Sequence, residues 1–142
     1  MFRMVKTLTT WWPVTVYEPS PEKPGTFAEY EFEVEMEILD RDAVKANTDK
    51  RDAILAEAIN DPSAENVKKV NHRLADQELS VLQRVVRNWR QVEDDDGNAL
   101  LFTPDAFLQA MKRDHIRQGI NVAYAEAIDT GKAREGNSKA RP

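Results

Sequence analysis

Carboxylates make up most of what this chain offers to chemistry, and they come in two arrangements. Glu29, Glu31, Glu33, Glu35 and Glu37 alternate with Ala28, Tyr30, Phe32, Val34, Met36 and Ile38. Residues two apart on a strand stand roughly 7 Å from one another on one face, a ladder of negative charge that a cation or a basic partner could meet. A straight ladder does not converge its oxygens on one point, as a metal ion demands. The row therefore reads as a solvated or partner-facing strand. In the second arrangement Asp94, Asp96 and Asn98 occupy alternate positions, and Asp105 stands where a calcium loop places its closing acid. Ala99 replaces the glycine on which such a loop turns and Asp105 replaces its glutamate, so a polar turn is expected there.

The remaining reactive groups are scattered. His72 and His115 lie far apart, neither at short ligand spacing from another histidine nor within a triad signature. The five glycines sit singly, which leaves no loop to cradle a phosphate. The sequence has no cysteine, which removes disulfides, thiolate zinc sites and thiol nucleophiles together. The expectation is a protein without catalytic, cofactor-binding or metal-binding residues, and not an enzyme.

Binding is the chemistry left, and large apolar side chains are its usual anchors. Trp89 closes a strongly apolar stretch and is expected in the core. Trp11 and Trp12 are adjacent, so on a strand they point to opposite faces and one of them meets solvent or a partner. With the apolar face of the Glu-rich strand they make the expected partner-binding set: Trp11, Trp12, Tyr30, Phe32, Val34 and Met36.

The elements that must position these residues follow from periodicity. Alternation over Trp12, Val14 and Val16, and again from Phe27 to Ile38, predicts a β-hairpin over about 12–38, joined by a loop carrying Pro19, Pro21, Pro24 and Gly25. Pro13 has no N–H to donate, so the first strand is an edge or begins there. Two strands alone are not stable in water and need helices or a partner over their apolar face. Helices are predicted over about 41–59, 63–91 and 104–130. The first starts at an Asp40 cap and is interrupted at Asn47-Thr48-Asp49; the second starts at Asp61-Pro62, with the acid capping and the proline in the first turn. The third starts at Thr103-Pro104, and Gly119 permits a break or a close contact within it. Ala99–Phe102 can pair back as an extended segment. The result is an α+β fold, a single domain over 1–131 with an N-terminal hairpin packed on a mainly helical body. A flexible tail is expected over 132–142.

Composition limits the partners. Of 142 residues, 41% are hydrophobic and 32% charged, enough apolar material for a core under a charged surface. The net charge of −5 repels a phosphate backbone, and acids flank the basic clusters Lys68-Lys69-Arg73 and Arg84/Arg87/Arg90, so no nucleic-acid partner is expected. Neither an export signal nor an apolar run of membrane length is visible, so no membrane partner is expected and the expected location is the cytoplasm. An edge strand and a partly apolar helix also invite self-association.

In their order along the chain, these features resemble the tail assembly chaperones of long-tailed bacteriophages. The first part of the resemblance is the hairpin, with Trp12-Pro13-Val14-Thr15-Val16, a Pro/Gly loop, the aromatic-acidic strand Phe27–Ile38 and Asp/Arg-led helices. The second is Val85-Val86-Arg87-Asn88-Trp89, then Val92, the acidic turn with Gly97, and Phe102-Thr103-Pro104-Asp105. It continues through Tyr124-Ala125 to a basic tail with Gly136-Asn137-Ser138. The segment of about 50–77 is longer than the pattern. The resemblance implies a protein of the infected or lysogenic bacterial cytoplasm that binds the tape measure protein, keeps its hydrophobic helices soluble, and helps tail tube protein assemble around it. It carries over no catalytic residue. A structural tail or connector subunit of the virion is the first competing expectation. A small acidic inhibitor of a host nucleic-acid-binding protein, using the Glu row as a mimic, is the second.

Overall fold

A computed structural model describes residues 1–129. In chain order the elements are β1 (Leu8–Pro19), β2 (Phe27–Ile38), α1 (Arg41–Asn60), α2 (Ala64–Val85), β3 (Val86–Arg90), α3 (Pro104–Met111) and α4 (Asp114–Ile128). The fold is α+β. The chain divides into two compact units: Met1–Ile38 with the chain from Val86, and Leu39–Val85. The cause is topological, since the helical excursion 39–85 separates β2 from its sheet neighbour β3. None of the described helices is long and apolar enough to cross a membrane. The tail predicted over 132–142 lies outside the described residues.

The first unit is built on an antiparallel sheet of order β1-β2-β3. β1 and β2 pair from Leu8↔Ile38 to Pro19↔Phe27, so the hairpin starts four residues before Trp12. Its loop closes through Ser20 N–H donating to the Thr26 carbonyl at 2.9 Å, with Gly25 at φ +82°. β1 is the edge, as Pro13 requires. Alternation does what the sequence predicts on one face, where Val14, Val16, Val34 and Met36 are buried.

β3 is the main departure from expectation. The segment 86–91, expected as the end of the second helix, leaves that helix after Val85 and adds a third strand to the sheet. Val86 pairs with Met36, Asn88 with Glu35 and Trp89 with Val34, so β3 has one residue more than β2 between the two apolar pairs. This bulge lets Val86 and Trp89, three apart, both face the core, and it brings Arg87 and Asn88 opposite the Glu face. Trp89 is buried as expected; its indole N–H donates to the Leu100 carbonyl at 2.7 Å and its ring meets Phe102 edge-on at 5.1 Å. Leu100 N–H bonds the Val92 carbonyl at 2.8 Å, so the segment after the acidic turn does pair back, as a short bridge. Asp94 closes that turn by accepting from the N–H groups of Asp96 and Asn98 at 2.9 and 3.0 Å.

Thr103 caps α3 by accepting from Ala106 N–H at 3.0 Å, with Pro104 in the first turn. The predicted helix 104–130 breaks at Lys112-Arg113, and Gly119 serves the other purpose, close contact. A Cβ there would stand 2.7 Å from the Thr15 carbonyl oxygen and 3.0 Å from Val16 Cγ1. α4 therefore lies directly on β1, which only glycine permits at this position.

The second unit is a helical hairpin. Asp40 caps α1 by accepting from Ala43 N–H at 2.9 Å. α1 runs through Asn47-Thr48-Asp49 without the predicted interruption, since those residues each cost only about 0.5 kcal/mol against better helix formers and neither glycine nor proline is present. A Lys45–Asp49 ion pair at 2.8 Å spans the segment. Ser63 caps α2 in place of Asp61, accepting from Asn66 N–H at 3.3 Å, which leaves Pro62 ahead of the cap. Asn66 Nδ2 bonds the carbonyls of Glu57 and Asp61 at 3.0 and 2.7 Å, satisfying the end of α1. An ion pair between Arg73 and Glu57 ties the two helices further along.

Candidate partner-binding groove

The two ends of the hairpin present different surfaces. At the β3 end, Arg90 Nε donates to Glu33 Oε1 at 2.7 Å while its guanidinium lies 4.1 Å from the centre of the Trp11 ring. Arg87 bonds Glu37 at 3.2 Å, and Glu37 is only 8% exposed. The expected row of five solvated glutamates is thus broken, because the bulged β3 carries arginines across the row and covers part of it. Glu29 and Glu31, beyond the reach of β3, are exposed and have no ion-pair partner among the described residues.

At the other end lies a groove of about 510 Å³ between the outer part of the hairpin and α4. β1 supplies Pro13, Thr15 and Tyr17, and β2 supplies Phe27. α4 supplies His115, Gln118, Gly119, Val122, Ala123 and Glu126, which recur at helical three- and four-residue steps and so form one stripe. Gly119 and Ala123 are buried floor, whereas Phe27, Tyr17 and Val122 are 69%, 56% and 54% exposed. His115 Nε2 lies 2.7 Å from Glu18 Oε2 and pins the start of α4 to β1. Burial pushes the nearby Tyr124 hydroxyl above its ordinary pKa, so it stays protonated through neutral pH.

The six residues expected to bind a partner are not gathered here. Trp12, Tyr30, Phe32, Val34 and Met36 share the core face of the hairpin, and Trp11 alone lies on the Glu face. Val34 and Met36 are 0% exposed, consumed by the sheet's own core, so they present nothing to a partner while the unit is folded. Trp12 and Phe32 are half-buried, Tyr30 is exposed, and Trp11 is half-buried beneath Arg90. Tyr17, Phe27 and Val122, the exposed apolar residues of this groove, are not among those six. A signal existed for the first two, since both are large apolar residues on the parity of the glutamates. Among the described residues no group of three or more metal-ligating side chains converges.

No protein-family model, curated protein or solved structure matches the chain.

Proposed function

We propose that this chain is a non-enzymatic tail assembly chaperone of a long-tailed bacteriophage, acting in the bacterial cytoplasm to hold the tape measure protein soluble while tail tube protein assembles around it. The observation that carries this reading is the open groove, where Tyr17, Phe27 and Val122 expose apolar surface beside β1, apart from the buried core of Val14, Val16, Val34 and Met36. Exposed apolar side chains around a concavity suit reversible capture of an apolar helix. The order of motifs that produced the resemblance supports it independently.

Co-expression with the long helical tape measure protein that the proposal requires tests it. The partner is expected to co-purify and to move from the insoluble to the soluble fraction; a partner that stays insoluble and unbound would sink the chaperone reading. Abundance of this chain in purified virions would favour a structural subunit instead. The pairing of Glu33 and Glu37 with arginines weighs against the nucleic-acid mimic, which needs the whole row free.

A further inference from the structure

The groove's surroundings specify the chemistry of its occupant. None of its ten lining residues is lysine or arginine. Glu126 stands in the lining and Glu18 at the rim beside His115. The strand register sets Glu29 opposite Tyr17 and Glu31 opposite Thr15, and directly paired residues share a sheet face. Apolar side chains are thus bordered by carboxylates. Backbone pairing by an added strand is blocked at the centre of the groove, because α4 at Gly119 already sits on the Thr15 carbonyl. What α4 leaves open is a stripe at helical spacing, into which the ridge of another helix packs.

We propose that this groove docks an amphipathic helix of another protein, one whose apolar stripe is flanked by lysine or arginine, with Tyr17, Phe27 and Val122 as the apolar contacts and Glu29, Glu31 and Glu126 facing the basic flanks. This rests on the chaperone reading for the partner's biological identity, and names the surface and chemistry by which it is held. The apolar contacts supply affinity; the carboxylates select the helix and its orientation.

The test uses the full chain and two labelled synthetic helices of ~18 residues, long enough to be helical, that share one leucine stripe and differ only in Lys or Glu flanks. Fluorescence anisotropy is expected to show the Lys-flanked helix bound about tenfold more tightly, with the preference shrinking as salt rises. Val122→Asn and Phe27→Ser are each expected to weaken that binding about fivefold or more with unchanged thermal unfolding, since both side chains are largely exposed. Ile59→Ser, at an exposed apolar residue of the other unit, is expected to leave binding intact. Equal binding of both peptides, no binding, or indifference to Val122→Asn and Phe27→Ser overturns the proposal. So does a concentration-dependent dimer that Val122→Asn dissociates, because the occupant would then be a second copy. Should the peptides behave as expected while the co-expressed tape measure protein stays unbound, the chaperone reading falls and the groove stands. Should that protein co-purify equally with Val122→Asn, the groove falls and the chaperone reading stands.

Discussion

The two ends of β2 carry the same alternating sequence and have opposite fates. From Glu33 to Ile38 the strand is covered on both faces: Val34 and Met36 by the core, Glu33 and Glu37 by arginines from β3. From Phe27 to Glu31 the same alternation leaves an aromatic ring at the groove and two carboxylates exposed. Alternation decides which side chains share a face, and the neighbouring element decides whether that face is core, ion-pair ladder or exposed surface. β3 is five residues long, and its pairing ends at Glu33. That limit divides the hairpin into a closed half that stabilises the fold and an open half that stays exposed.

Substitutions at the closed end should act on stability first. Trp89→Ala removes the ring packed on Phe102 and the indole bond to Leu100, and is expected to cost about 3–5 kcal/mol in urea unfolding. Gly119→Ala reports on the seam between the halves. At an open helical position the exchange would stabilise by about 1 kcal/mol. Here the added Cβ meets the Thr15 carbonyl, and a loss of about 2 kcal/mol is expected. A gain would mean that α4 does not lie on β1 as described. Arg90→Ala, which removes both the Trp11 stacking and the Glu33 ion pair, should cost about 1 kcal/mol, with a change in Trp fluorescence as the ring is uncovered. At the open end, Glu29→Gln with Glu31→Gln is expected to change stability by less than about 0.5 kcal/mol. The comparison fails if that pair proves as destabilising as Arg90→Ala.

Much of the fold was legible in the sequence because it rests on local rules. The period-two pattern placed the hairpin, Pro13 marked the edge strand, and Asp40 and Thr103-Pro104 marked helix starts. The end of α2 was not legible for a specific reason. Val86 and Trp89 are three residues apart, a helical step, and only a bulge allows that spacing to face one side of a strand. The bulge is set by pairing with β2, about fifty residues upstream, so no local signal betrays it. How deeply each apolar residue of the hairpin is buried was not legible, because alternation does not say which element covers the face. With β3 in the sheet, Val34 and Met36 are needed at home. The groove depends on longer separations still: Glu18 and His115, 97 residues apart, meet at its rim. Only the register that pairs Pro19 with Phe27 brings Tyr17 and Phe27 to the same end of the sheet.

The most direct test of the account is hydrogen–deuterium exchange on the full chain, alone and saturated with the Lys-flanked helix. Protection is expected to rise in residues 13–17 and 115–126, and to stay unchanged in 33–38 and 86–90, where the hairpin is already closed. New protection confined to the closed half, with α4 exchanging as in the free chain, would contradict it.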